Sequence, residues 1–465
     1  MILSVVPLEI AMAHPLDCPS VPKTDLRRVA VLFSGGPAPA ANAVIGSVAL
    51  CFAQAGIEVL GIRNGYTYLM DYKAGQMLPE GKAYIRLDRM ELEGVRSSTG
   101  IVIGTARANP GKKVKTPADL QDSEAAAPLR AVYEALRSLN VDALISIGGD
   151  DTLTTAAKFH LWQQYLPAGS PRIRVVHLPK TIDNDYRGID FTFGYFTAVE
   201  MLAQQVRNLL ADARSTGAYY VVQVMGRAAG WLAYGAAIAG EASLVLSLED
   251  IPPEWWATEE TFDPKSGQKV LDATGKPQTR KVIHVQAMVD RIVQTVLARD
   301  QGGKPYGVIL LAEGLVEYLP LEEFRQTLSE DEYRVLTPDE FGHFPVSQLK
   351  YSGRLARLIN DEYQKRTGKK KKITGLQFGY EVRCHPATAF DIVLGSQLGV
   401  GAYRALVEKG LDAVMVSVGR QLSLVYEPFA NLVDSAKLRA IARPLDPQED
   451  FHQLARYLEV RVQNQ

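Results

Sequence analysis

Two loops at the ends of two apolar runs constrain this chain most. Leu144-Ile145-Ser146-Ile147 runs into Gly148-Gly149-Asp150-Asp151-Thr152, and Val175-Val176-His177-Leu178 into Pro179-Lys180-Thr181-Ile182-Asp183-Asn184-Asp185. Short runs of this kind, rich in β-branched residues, form buried parallel strands. Ligands of open α/β sheets bind beyond the carboxyl ends of such strands. The loops supply glycines that let backbone amides approach phosphate oxygens, acids that suit a magnesium ion, and an Asp left to take a proton. That inventory points to phosphoryl transfer onto a hydroxyl.

The same alternation runs through the chain. Arg28 to Phe33 reads as a first strand, broken by Ser34-Gly35-Gly36-Pro37-Ala38-Pro39 and followed by a helix from Ala40 to Ala53. Ile57 to Ile62 reads as a strand, Pro128 to Ser138 as a helix, and Thr152 to Gln164 as the helix after the first acidic loop. A second series follows: a helix from Phe196 to Ala213, strand Tyr219 to Val224, a small-residue helix Gly230 to Ala239, and strands Leu244 to Leu246 and Gly307 to Leu311. This β-α-β order predicts parallel, doubly wound sheets. Pro264 to Lys281 is polar and reads as an excursion, and Gly368-Lys369-Lys370-Lys371-Lys372 as a solvated basic turn.

Length and charge set the outer limits. At 465 residues the chain has room for two or three lobes, and 47% hydrophobic with 22% charged residues is ordinary for a globular protein with a large core. A net charge of −1 gives no reason to expect nucleic acid or an acidic membrane as a partner. Cys18, Cys51 and Cys384 are widely spaced and odd in number, which fits a reducing cytoplasm rather than a disulfide framework. Met1 to Ala13 is apolar but carries Glu9 and no basic start, so an arm is expected there and not a signal peptide.

Six motifs in order resemble the phosphofructokinase superfamily. They are Gly35-Gly36-Pro37-Ala38-Pro39, Gly148 to Thr152, Pro179 to Asp185, Met225-Gly226-Arg227, Ala312-Glu313-Gly314-Leu315 and Gly379-Tyr380-Glu381-Val382-Arg383. The similarity extends from about Arg28 to Leu424. It implies two Rossmann-like α/β lobes with mainly parallel sheets and an active site between them, phosphorylating the 1-hydroxyl of fructose 6-phosphate with magnesium. The implied organisation is an arm at 1–27, a donor lobe at 28–194 plus about 392–445, a sugar-phosphate lobe at 195–391 with an insertion at about 252–281, and a tail at 446–465.

The roles that the resemblance implies can be set beside the physics. Gly36 would lie against the donor, where a side chain would block backbone contact with a terminal phosphate. Asp150 is similar to the family's magnesium ligand, and magnesium needs only one or two carboxylates beside phosphate oxygens and water. Asp183 resembles the general base. Thr181, Ile182, Met225, Gly226, Arg227 and Glu313 would line the sugar site. Arg383, beside Tyr380, would anchor a phosphate, since a guanidinium can fork across two of its oxygens. For Asp185, supporting the metal and capping the loop are equally open. Arginines from a neighbouring subunit complete the 6-phosphate site in this family, so a homodimer or homotetramer is implied.

The donor is legible in two substitutions. ATP-dependent members resemble Gly-Gly-Asp-Gly-Ser and Pro-Gly-Thr-Ile-Asp-Asn-Asp, whereas Asp151 and Lys180 replace a glycine in each loop here. A carboxylate at Asp151 would repel the α-phosphate of a nucleotide by roughly 1 to 4 kcal/mol per charge pair near 4 Å. Lys180 would neutralise the free end of pyrophosphate. Tyr219-Tyr220, near where bacterial ATP-dependent enzymes carry a sugar-phosphate arginine, lean the same way. Ala40 departs from the family's usual glycine, and Asn184 is the ATP-type residue. The expected reaction takes pyrophosphate and fructose 6-phosphate to phosphate and fructose 1,6-bisphosphate, reversibly, in the cytoplasm. The alternatives are an ATP-dependent enzyme, a lipid or NAD kinase, and a non-catalytic sugar-phosphate-binding subunit. Sedoheptulose 7-phosphate is a second conceivable acceptor.

Overall fold

The computed structural model describes residues 19–263, 268–272, 274–334 and 349–462. In chain order its principal strands are β1 (Arg28–Ser34), β2 (Glu58–Ile62), β3 (Tyr84–Arg86), β4 (Ala143–Gly148), β5 (Arg174–Pro179), β6 (Tyr219–Val224) and β7 (Leu244–Leu246). They continue with β8 (Trp256–Glu260), β9 (Thr279–Ile283), β10 (Gly307–Ala312), β11 (Ile373–Phe378), β12 (Val414–Gly419) and β13 (Ser423–Pro428). The helices that bear on the site are α1 (Ala41–Gln54), α2 (Ala127–Ser138), α3 (Asp150–Trp162), α4 (Tyr195–Thr216) and α5 (Trp231–Gly240).

Seven strands form one sheet in the order β13-β12-β5-β4-β1-β2-β3, and four form a second in the order β11-β6-β10-β7. The second is parallel throughout, and the first is parallel except at its two edge pairs. The centre of the first sheet is buried on both faces. Every residue of β4 is buried, which is why its sequence is an unbroken apolar run. The second sheet instead divides its side chains by period two. Val222, Val224, Val308 and Leu310 join the main core, while Tyr219, Val221, Ile309 and Leu311 build a separate core on the other face.

Register then decides where the loops fall. Ser34 pairs with Gly148 and Gly148 with Pro179, so the loops after β1, β4 and β5 emerge side by side. In the second sheet Val224 pairs with both Ala312 and Phe378, which sets Met225, Glu313 and Gly379 in a second row.

The expected strands and helices are present, with boundary shifts of a few residues. α3 starts at Asp150 rather than Thr152, because Gly149 O already accepts the amides of Thr152 (2.9 Å) and Leu153 (3.0 Å). Asp150 and Asp151 therefore form the helix's first turn, where the macrodipole favours negative charge. The polar excursion is framed by β8 and β9, which pair as an antiparallel hairpin; residues 264–267 and 273 lie outside the described residues, as do Met1 to Cys18. In the basic turn Lys371 is not simply solvated: its Nζ reaches Asp300 at 2.8 Å. Tyr219 and Tyr220 open β6, at the end of the strand away from Met225. Tyr219 is fully buried with its hydroxyl on Lys304 O, and Tyr220 donates to Asp212, so neither faces the loops of its own chain.

After β13 the chain doubles back across both sheets. Ala440 N donates to Thr154 Oγ1 (2.9 Å) and Ala442 bridges Tyr186, both on the first sheet's side. The helix Asp450–Leu458 then docks beside the second sheet, where His452 Nε2 meets Asp250 at 2.7 Å and Arg456 donates to Val245 O at 2.7 Å. No helix among the described residues is long and apolar enough to cross a membrane.

Candidate active site

The two rows of loops face each other. A Cβ placed on Gly36 would stand 3.7 Å from Arg383 Cζ, and one on Gly226 would stand 3.9 Å from Asp183 Oδ1. Groups from opposite sheets thus meet across one cleft. Gly226 has φ +121, a conformation that L side chains rarely adopt, and this turn sets it beneath Asp183.

In the first row the glycine loop after β1 is tied to a segment that the sequence reading passed over. Gly35 N donates to Ala106 O (2.9 Å), and Thr105 Oγ1 donates to Gly35 O (2.7 Å). The next residue, Arg107, is exposed beside this junction. The apolar run Ile101-Val102-Ile103 ending in Gly104-Thr105 carried the same kind of signal as the strands before the acidic loops. Ala40, just before α1, adopts φ 62 and ψ 10, the left-handed region, which accounts physically for glycine being common at this position.

Lys180 lies at the centre of the row. Its backbone N donates to Gly148 O at 2.9 Å, and its Nζ lies 5.9 Å from the Phe33 ring centroid. The ammonium would be 3.5 Å from a Cβ on Gly35 and 3.8 Å from one on Gly149, so it runs beneath both glycine loops. Burial lowers its pKa, against the pull of Asp183, Asp150 and Asp185. Tyr186 Oη adds a second bond to Gly148 O (2.8 Å) and lies 2.9 Å from His177 Nε2. Burial pushes His177 down to about 3, so it is a neutral prop under the loop.

The acids of the two loops differ in setting. Asp150 and Asp151 are solvent-exposed at the start of α3. Partial loss of solvent around its carboxyl still raises the pKa of Asp151, as does Asp150, while Arg227, Arg439 and Lys158 oppose the rise. Asp183 and Asp185 are half-buried. Burial raises the pKa of Asp183 against Lys180 and Arg383, and pushes Asp185 up to about 8 with help from Asp183 and Asp150. Asp183 N donates to Thr181 Oγ1 at 2.9 Å. Ile182 is buried, so its side chain packs into the core and only its backbone can face a ligand.

In the second row Met225 is buried against Gly379, where any Cβ would overlap the methionine side chain. Glu313 is 4% exposed and its Oε1 has no partner, although its backbone N is held by Val224 O at 2.8 Å. Burial and then Asp183 push its carboxyl up to about 7, with Arg227 and Arg383 among the opposing groups. Arg227 is exposed at the cleft and acts electrostatically on Asp151, Asp183 and Glu313 at once. Arg383 stacks over the Tyr380 ring at 4.5 Å and, by its approach to Gly36, reaches the glycine loop of the opposite row. Tyr380 is 60% exposed. All thirteen expected residues belong to the two rows, ten of them on the Pro179, Met225 and Gly379 loops or at Glu313 and the remainder on the loops after β1 and β4.

A magnesium ion suits this donor set. Asp150 offers a free carboxylate at the cleft, and its charge is felt by Lys180, Asp183 and Asp185. Among the described residues no three His, Cys, Asp or Glu side chains cluster as a protein cage for a metal. An ion held by one or two carboxylates and by substrate phosphates needs no such cage.

Comparison with known proteins agrees with the geometry. The family model described as Phosphofructokinase matches residues 28–266. The chain is 33% identical to pyrophosphate–fructose 6-phosphate 1-phosphotransferase of Naegleria fowleri, over 93% of this chain and 88% of that protein. It is 29% identical to the protein of the same name from Thermotoga maritima, over 94% and 91% of the two chains. An ATP-dependent 6-phosphofructokinase of Corynebacterium efficiens is 31% identical over 86% and 92%. Among solved structures, the pyrophosphate-dependent phosphofructokinase from Marinobacter aquaeolei superposes with a TM-score of 0.58 at 16% identity, covering 94% of this chain and 93% of that one. That last likeness speaks to the fold.

Proposed function

Because this chain belongs to the phosphofructokinase family, we propose that it transfers a phosphoryl group from pyrophosphate to the 1-hydroxyl of fructose 6-phosphate, giving fructose 1,6-bisphosphate and phosphate. The observation that carries the donor assignment is Lys180, buried beneath both glycine loops with Asp151 standing at the head of α3. A fixed charge at that depth suits a short, highly charged donor. A carboxylate at Asp151 would repel the α-phosphate of a nucleotide.

Each residue has a distinct task. The glycine loop with Gly36 receives the terminal phosphate, and Lys180 balances its charge. Arg383, reaching from the second row to the first, orients the group in transit. The C1 hydroxyl oxygen attacks phosphorus, its proton passes to the Asp183 carboxylate, and the bridging P–O bond breaks to release phosphate. Glu313, the Met225-Gly226-Arg227 turn, Thr181 and the Ile182 backbone hold the sugar, with Tyr380 at its outer edge. Asp150 would hold magnesium, which when bound neutralises phosphate oxygens. We assign the donor to the lobe of the seven-stranded sheet and the sugar to that of the four-stranded one. We also propose a cytoplasmic homo-oligomer in which a second subunit completes the 6-phosphate contacts, as the family resemblance implies.

The donor profile of the purified protein tests this reading. With fructose 6-phosphate and magnesium, turnover is expected with pyrophosphate and little with ATP. The reverse pattern would make it an ATP-dependent enzyme, a reading that the 31% identity to such a relative keeps specific.

A further inference from the structure

We propose that Arg443 is a positioning residue for the proton acceptor: it clamps the loop that carries Asp183 from a segment far away in sequence. The inference rests on the reading of Asp183 as the base. The guanidinium donates through Nη1 to Ile189 O (2.6 Å) and through Nη2 to Asn184 O (2.9 Å) and Asp190 O (3.0 Å). The backbone N of Arg443 donates to Asp185 O at 2.7 Å, and Ala442 bridges Tyr186. Four carbonyls between Asn184 and Asp190 therefore end on one residue.

Apart from Arg443, the loop is tied by Ser417 Oγ, which donates to Gly188 O, and by Tyr186 Oη, which donates to Gly148 O. Asn184 to Asp190 is neither helix nor strand, so its backbone groups need partners from outside it. Asn184 adopts φ 53, in the left-handed region, and its side chain is occupied within the loop, with Oδ1 accepting from Thr192 N (3.0 Å) and Nδ2 donating to Asp190 O (3.2 Å). A planar guanidinium with five donors in a fixed fork can serve three carbonyls at once; a lysine ammonium is a point charge and cannot match that geometry.

Arg443 is itself anchored on the opposite lobe. Its guanidinium lies 4.6 Å from the Trp231 ring centroid, and Trp231 Nε1 donates to Arg443 O at 3.1 Å. Two residues on, Leu445 N donates to Glu249 Oε1 (2.9 Å), which also accepts from Gly230 N (3.1 Å) at the start of α5. The base loop belongs to the seven-stranded sheet, and its clamp is seated on a helix of the four-stranded one. Arg443 thus sets Asp183 relative to the sugar side of the cleft.

Arg443→Ala and Arg443→Lys in the full-length protein test the proposal. A small misplacement of a reacting group costs about 10²-fold in rate. The expected result is a fall in kcat of about that size in both variants, with KM for fructose 6-phosphate and pyrophosphate little changed. Millimolar guanidinium should restore part of the activity of Arg443→Ala and none of that of Asp183→Ala. Hydrogen exchange should show the amides of residues 184–192 losing protection while those of α5 keep theirs. Turnover within about twofold of wild type, a matching rise in KM, or an unfolding temperature that collapses without guanidinium rescue would each overturn it. If Arg443→Ala does not fold, Arg443→Gln carries the same measurements. The exchange result stands whatever the wild-type donor profile shows, so a failure of the functional reading and a failure of the clamp are separable.

Discussion

The two rows of loops are alike in origin and unlike in construction. Each is set by three strands in matched register, yet the first concentrates charge and the second concentrates close packing. In the first, Lys180 sits among Asp150, Asp183 and Asp185, so each charge is partly answered by another. In the second, Glu313 is buried with one oxygen unpartnered, and Met225 is pinned by Gly379. The difference teaches where each row waits for its ligand. The charged row carries more carboxylates than cations and calls for a counter-ion alongside any phosphate, whereas Glu313 is left for a partner that brings hydroxyl groups.

The largest way to break this comparison is at Asp183. Asp183→Ala should lower kcat by about 10² to 10⁴ with a smaller change in KM, since a positioned base contributes that much; steady-state kinetics with pyrophosphate would expose a near-normal enzyme and remove the residue from its role. Next is Asp151→Gly. If the first row excludes nucleotides by charge, this variant should gain ATP-dependent turnover and lose pyrophosphate turnover, each by tenfold or so, in keeping with a repulsion of about 1 to 4 kcal/mol. Unchanged donor preference would move the discrimination elsewhere in the row.

The second row is sharpened by pH. Glu313 titrates at about 7 in the fold, so its carboxylate forms as pH rises through neutrality. KM for fructose 6-phosphate should accordingly fall across that window, and Glu313→Gln should flatten the dependence. The sign for stability is opposite. Because the folded-state pKa is raised, the protonated carboxyl supports the ligand-free fold at acid pH, and that support is lost as pH rises through about 7. Unfolding curves of wild type and Glu313→Gln should converge at low pH, draw apart between about 4.5 and 7, and keep a constant difference above that. The smallest effect belongs to Ala40, whose left-handed backbone costs a residue with a Cβ about 1 kcal/mol. Ala40→Gly should raise stability by up to that amount, read from denaturant midpoints, without altering the donor profile.

The strands of both rows were legible because each is a buried apolar run closed by glycine or acid, a pattern local to a few residues. Asp150, Lys180, Asp183 and Glu313 were legible for the same reason, each standing at a strand end. What stayed hidden depends on distance or on backbone. Arg443 acts through carbonyls of residues 184–190, which have no side-chain identity to read, and nothing around Ala442-Arg443-Pro444 marks it. That Tyr219 and Tyr220 stand at the end of β6 away from Met225 is a matter of strand direction, which their nearness in sequence hides. The hold of Thr105 and Ala106 on Gly35 is again a backbone matter, although the glycine after Ile103 hinted at it.

Arg443 also orders events in time. Ile189 and Arg443 are 254 residues apart. At a synthesis rate of 5 to 20 residues per second, the ribosome needs roughly 10 to 50 s to travel between them. For that interval the loop from Asn184 to Asp190 lacks the four bonds from Arg443, a brace the polypeptide gains late in its own manufacture.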